Sequence, residues 1–150
     1  MIEASGDIWA EAGRAIIAIT TSGSVSRQGR AVLRRGVAGQ AAQRYPELPE
    51  LLGGIIGRSG NHVHLLEHGI VSFPVEESAW ANPDLRLIAR SAGELRELAD
   101  REGWDRVLVP RPGCGGGGLS WSEVRPLLEQ YFDGRFVVIC APSPEPKEGD

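Results

Sequence analysis

The sequence predicts an α/β fold: three α/β/α layers around a mixed, mainly parallel central sheet. Three observations carry this. Short continuous apolar runs suit strands buried on both faces, amphipathic helical segments alternate with them, and glycines and prolines fall between the periodic segments rather than in a repeat.

The first such run is Ala15, Ile16, Ile17, Ala18, Ile19 and Thr20, closed by Thr21, Ser22 and Gly23. A helix is expected over 36–45, stopped by Pro46, and a short one over 50–56. Segments 63–66 and 70–73 read as a hairpin with Glu67, His68 and Gly69 as its turn. Over 87–102 a helix turns Ile88, Leu95 and Leu98 inward and Arg90, Glu94, Glu97 and Asp100 outward, and Gly103 ends it. Val107, Leu108 and Val109 before Pro110 form the next strand, and 136–139 the last. Between them, 120–131 places Val124, Leu127, Leu128 and Tyr131 on one helical face, with Ser120 and Glu123 as a capping box.

With 150 residues and 41% apolar content the chain fits one domain, 1–142, while the proline-rich, charged segment 143–150 is expected to be a tail. A net charge of -4 argues against general nucleic-acid binding. Cys114 and Cys140 make neither a disulfide framework nor a metal motif, and no run reaches a membrane span of about 20 apolar residues, so a cytoplasmic, membrane-free setting is expected. Parallel sheets bind ligands at the carboxyl ends of their strands, which directs attention to the loops after Thr20 and Pro110.

The second of these loops holds Gly113, Cys114, Gly115, Gly116, Gly117 and Gly118, between a buried strand and a capped helix. Missing side chains let successive backbone N–H groups face one anion, and the following helix N-terminus adds a favourable dipole. The spacing of Gly113, Gly115 and Gly118 matches a dinucleotide fingerprint only formally, and the absence of a following lysine excludes a Walker-type loop.

In order along the chain, Gly6-Asp7-Ile8, Thr20-Thr21-Ser22-Gly23, the segment 32–38, and Pro110-Arg111-Pro112-Gly113-Cys114-Gly115 with its glycines, Leu119 and Trp121 resemble the macro domains. The likeness is to a bacterial and phage branch related to ADP-ribosyl glycohydrolases. Phe73-Pro74 followed by Trp80 is similar to a mid-chain motif of that branch, and the resemblance spans about residues 6–142. It implies a macro-like domain whose ligand is ADP-ribose or a related adenine diphosphate, free or carried on an ADP-ribosylated macromolecule, with no cofactor. Asp7 would accept the adenine amino group beside the Ile8 backbone. Thr21, Ser22 and Gly23 would border the pocket. Arg34, Gly36, Val37 and Ala38 would belong to the first phosphate loop, and Gly113, Gly115, Gly116, Gly117, Gly118 and Leu119 to the second.

The departures from that pattern weigh against catalysis. Ser22 stands where relatives keep asparagine, Arg34 where they keep a phosphate-loop glycine, and Val75-Glu76-Glu77 where they tend to have threonine and lysine. Gly116 and Ser120 replace polar or acidic residues. Neither a lysine nucleophile nor a loop carboxylate stands at the matching positions, so no catalytic residue is assigned. Two rivals to binding remain: hydrolysis through Glu76, Glu77 or a held water, and a structural relic whose pocket Arg34 fills. His62, His64 and His68 lack a zinc spacing and are read as hairpin histidines, without a metal. Cys114 reads as packing beneath the loop, Trp104 and Trp121 as core cover, and Trp80 as a ligand wall. Arg27, Arg30, Arg34 and Arg35 read as a solvated helix face, with Arg34 at the phosphate-facing edge.

Overall fold

A computed structural model describes residues 1–115 and 118–141. Gly116, Gly117, the expected boundary at 142 and the expected tail 143–150 therefore lie outside the described residues. Five strands, β1 (Ile2–Ser5), β2 (Ile16–Ser22), β3 (Ile70–Glu76), β4 (Val107–Pro110) and β5 (Phe136–Cys140), lie side by side in the order β1-β5-β4-β2-β3. Four helices, α1 (Gly36–Arg44), α2 (Leu48–Ser59), α3 (Leu85–Glu102) and α4 (Trp121–Glu129), and a 3-10 turn at Ile8–Glu11 complete the described fold.

The unbroken apolar runs arise because both faces of the sheet are covered. Ala18, Val107, Val109, Phe136 and Val138 pack in one core with α3 and α4, whereas Ile17, Ile19, Leu108 and Val137 pack with the 3-10 turn, α1 and α2. Side chains alternate between faces with period two, so β2, β3, β4 and β5 each feed both cores. Burying one such side chain contributes about 1.5–3 kcal/mol, and the two cores fix the register of every central strand.

The sheet is parallel throughout. The antiparallel partner expected over 63–66 contracts to one bridge, Leu65 with Val71, because β3 takes its main partner in β2. The expected turn is present: His68 (φ 63°) and Gly69 (φ 69°) are both left-handed, and the Ile70 N–H donates to Glu67 O at 3.3 Å, as in a type I′ turn. Sequence reasoning missed β1, an exposed edge strand with no apolar run. It also shortened α2, which begins at Leu48 with Pro49 in its first turn and continues to Ser59. Helix α3 starts two residues before expectation because Asp84 caps it, accepting the Arg86 N–H at 2.8 Å, and Gly103 (φ 71°) ends it as expected.

One topological feature places the site. Pairing of β2 with β4 is confined to Ile16 with Val107 and Ile17 with Leu108, yet β2 runs on to Ser22. From β2 the chain passes outward to β3 and then returns across β2 to β4, so the connections leave in opposite directions here. Such a switch point opens a crevice at the carboxyl ends of the strands.

Candidate functional site

That crevice is a cleft of about 1180 Å³. Its walls come from the carboxyl end of every strand: Asp7 after β1, Thr21 and Ser22 of β2, Glu76 of β3, Gly113 after β4, and Cys140 of β5. Of the residues singled out from sequence, Asp7, Ile8, Thr21, Ser22, Arg34, Gly36, Val37, Ala38, Gly113, Gly115, Gly118 and Leu119 all line it. Gly23 does not. It packs behind the wall, where an added Cβ would sit 2.6 Å from Glu77 O and 3.1 Å from the Asn61 amide nitrogen. Its role is to let the β2 terminus approach the end of β3.

The segment expected to form the first phosphate loop becomes a helix N-terminus. Gly36 opens α1 with φ 56°, and no side chain caps the helix at Arg35. Gly39 is the first helix residue whose N–H has a backbone acceptor, Arg35 O at 3.0 Å. The amides of Gly36, Val37 and Ala38 thus sit at the positive end of the helix dipole, on the cleft wall. The surrounding charge agrees. No Asp or Glu lies between Glu11 and Glu47, a stretch holding Arg14, Arg27, Arg30, Arg34, Arg35 and Arg44. Among the described residues Arg27, Arg30, Arg34 and Arg35 form no ion pair.

These arginines do not form the helix face expected of them. Residues 23–35 are a loop, with Val25 bridged to Ala31 and the Ala31 N–H donating to Pro49 O at 2.8 Å. Buried Gly53 of α2 admits this loop's backbone at Gly29 and Ala31. Arg34 reaches the cleft mouth and lays its guanidinium 4.7 Å from the centre of the Trp80 ring.

On the facing wall the glycine loop closes on itself. The Leu119 N–H donates to Gly113 O at 2.7 Å and the Gly118 N–H to Gly115 O at 3.3 Å. Leu119 is therefore wall rather than anion donor in this conformation, because its amide is already engaged. Gly113 takes φ 73°, which suits glycine. Beyond the loop the Glu123 carboxylate accepts from both the Ser120 N–H and the Ser120 hydroxyl at 3.0 Å, and these bonds hold its carboxyl below the usual range. Glu3 accepts from the Trp121 indole N–H and from Arg125, each at 2.8 Å, while Arg111 stacks over Trp121 at 4.8 Å. The start of α4 is thus clamped to the edge strand.

Asp7 caps the 3-10 turn, its Oδ1 accepting the Trp9 N–H at 3.0 Å. One oxygen serves the turn, and the residue lines the cleft at the β1 edge. At the β3 edge stands Glu76, whose carboxyl burial pushes up, with nearby Arg35 opposing. A carboxyl raised on folding favours the folded state below its unfolded pKa, and this contribution is lost as pH rises through the folded value. Glu76→Gln should therefore raise the melting temperature at pH 7, and the advantage should disappear below the ordinary glutamate value of 4.5. Thermal unfolding of both proteins across pH 3–8, roughly the span of carboxylate titration, measures this.

The remaining sequence candidates separate. His62 bonds Glu94 at 2.8 Å, His64 meets Gly60 O at 2.9 Å, and His68 bonds Glu47 at 2.7 Å while stacking on Tyr45. Cys114 is partly buried against the core and burial pushes its thiol up, which disfavours the thiolate. Trp104 and Trp121 pack on the core, but Trp80 is 79% exposed. Cleft residues missed from sequence include Asn82, Pro83, Cys140 and Ala141. The carboxyl-end rule applied to β5 would have found the last two, whereas nothing local marks Asn82 and Pro83. Among the described residues no helix is long and apolar enough to cross a membrane.

No family model and no curated protein sequence matches the chain. Solved structures do. The macrodomain of Mycobacterium tuberculosis DarG is 25% identical, with 96% of this chain and 99% of that chain covered at a TM-score of 0.79. The macrodomain of Thermus aquaticus DarG is 19% identical, covering 95% and 99% at 0.78. Thermosipho africanus DarTG in complex with ADP-ribose is 20% identical, covering 91% of this chain and 40% of that one at 0.74.

Proposed function

We propose that this chain, a macrodomain by its fold, holds ADP-ribose or a related adenine diphosphate in the cleft at the carboxyl ends of its strands. The observation that carries this reading is the uncapped N-terminus of α1 on the same cleft as the glycine loop. A diphosphate laid between them meets the amides of Gly36, Val37 and Ala38 on one side and those of the glycine loop on the other. The adenine then lies toward Asp7 and Ile8, with Thr21 and Ser22 as floor. Similarity to a structure containing ADP-ribose supports the same ligand. Arg34 at the cleft mouth, over Trp80, supports a binding pocket rather than one plugged by that side chain.

Titration calorimetry with ADP-ribose tests it, and Asp7→Asn sharpens the test. Asparagine keeps one oxygen for the Trp9 N–H but turns an amide NH₂ toward an exocyclic amine. Binding should weaken about ten- to a hundredfold, the worth of a hydrogen bond to a charged group. Absence of heat with ADP-ribose and ADP on the wild-type protein would refute the proposal, and unchanged affinity in Asp7→Asn would remove the base-reading role.

A second reading, hydrolysis of an ADP-ribosyl linkage, is favoured by Glu76 alone, a cleft carboxyl of the kind that takes a proton from water. Incubation with ADP-ribosylated protein and nucleic acid separates the two. Binding without release supports the first reading, and release that disappears in Glu76→Gln supports the second.

A further inference from the structure

The pole opposite the cleft, at the amino ends of the strands, carries a second cluster of chemistry-bearing side chains. Glu47, Glu67 and His68 each offer one ligand atom there, and the three atoms all lie within 4.8 Å of one another. His68 Nε2 stands 2.7 Å from Glu47 Oε1 and 4.0 Å from Glu67 Oε2. Around a four-coordinate zinc ion with bonds of about 2.0–2.2 Å, neighbouring donors sit about 3.3 Å apart, a spacing that these two distances bracket. The histidine spacing in the sequence does not reveal the cluster, because Glu47 comes from 21 positions away.

Both segments that carry the ligands are held by backbone bonds. Glu47 lies in the connector between α1 and α2, where the Tyr45 N–H donates to Ala41 O at 2.8 Å and the Leu48 N–H to Tyr45 O at 2.9 Å. Glu67 and His68 lie in the turn before β3, which the Leu66 N–H closes on Ile70 O at 2.7 Å. Across the gap the Tyr45 ring stacks on the His68 imidazole, with centroids 4.0 Å apart and planes 10° from parallel. That contact fixes the plane in which Nε2 points. The charge balance is the second observation. Among the described residues no arginine pairs with Glu47 or Glu67, so two carboxylates share a single imidazole and leave negative charge uncompensated.

We propose that Glu47, Glu67 and His68 bind a divalent transition-metal ion of the zinc class, which staples the α1–α2 connector to the turn before β3. A nitrogen ligand beside two carboxylates favours zinc over magnesium and calcium, which take oxygen ligands. Three protein ligands leave the fourth position to water. The ion takes the place of the proton between His68 Nε2 and Glu47. Strand β2, seven residues long, separates this pole from the cleft by about 20 Å, so the site stands apart from whatever the cleft holds.

The experiment is calorimetric titration with zinc chloride, and with magnesium chloride as the contrast, on wild type, His68→Asn, Glu47→Gln and Glu67→Gln. Asparagine before Gly69 gives the residue pair this turn favours, so His68→Asn removes the imidazole and keeps the turn, which an unchanged melting temperature without zinc verifies. Wild type should bind one zinc ion and no magnesium. Its melting temperature should rise by about 5–10 °C at zinc a hundredfold above the dissociation constant. His68→Asn should abolish both effects, and each glutamine variant should weaken zinc binding about tenfold or more. Nitrogen NMR of the imidazoles should show zinc moving His68 and leaving His62 and His64 in place. Zinc binding undiminished in His68→Asn, shifts centred on His62 beside Glu94, or no heat at millimolar zinc would overturn the site, whatever ADP-ribose does at the cleft.

Discussion

Gly53→Ala destabilises the protein by about 2 kcal/mol or more, although alanine is the better helix former. A methyl group on Gly53 would overlap Gly29 O and lie 2.8 Å from Gly29 C and 2.9 Å from Ala31 N. All three atoms are backbone, so no side chain can turn aside. Relief requires moving the 23–35 loop away from α2, which strains the bond from Ala31 N–H to Pro49 O and the left-handed Gly29 (φ 79°). For a domain of this size the melting temperature should fall by about 4–8 °C. Gly57 lies one helical turn on and meets nothing within 4 Å, so Gly57→Ala should instead stabilise, by up to about 1 kcal/mol. Thermal unfolding of the two variants checks the opposite signs; equal shifts would contradict the packing of this loop on α2.

The second large effect is on binding. Gly118→Ala should lower affinity for ADP-ribose about a hundredfold, as expected when two amide contacts to phosphate, each about 1.5 kcal/mol, are displaced. The added Cβ would overlap Gly113 O and lie 3.2 Å from Pro83 Cγ. Gly113 O is the acceptor that closes the loop onto the Leu119 N–H, so the substitution opens the ring from inside. Gly115, three residues earlier in the same run, has nothing within 4 Å of an added Cβ. Gly115→Ala should fold with an unchanged melting temperature, and any loss of affinity there reports a ligand contact directly. Calorimetric titration and unfolding of both variants separate loop geometry from ligand contact; equal affinity in Gly118→Ala and wild type would contradict the role given to the loop.

The buried strands and amphipathic helices were legible in the sequence because their signals are local. Period-two burial on both faces produces unbroken apolar runs, and the caps of α3 and α4 involve residues two or three positions apart. Strand β1 was not legible: all four residues are exposed, and what holds it is backbone pairing with β5, more than a hundred positions away. The same distinction runs through the site. Asp7 and the two glycine-containing segments were visible as motifs, and the carboxyl-end rule for parallel sheets joins them. The fate of the arginine run was not visible. Nothing within 23–35 tells that Gly53 admits this loop, or that Arg34 meets Trp80 across the cleft mouth. Nor does a run of glycines reveal which amides are engaged internally, as those of Gly118 and Leu119 are.

The central claim is that the diphosphate lies between the N-terminus of α1 and the glycine loop, and amide-resolved NMR during an ADP-ribose titration tests it most directly. The cleft assignment predicts the largest shifts at Gly36, Val37, Ala38, Gly113 and Gly115. A second cavity of about 490 Å³, lined by Tyr45, His68 and Trp104, supplies the contrary outcome. Shifts centred there with the amides of 36–38 unmoved, or no shifts at millimolar ligand, would contradict it.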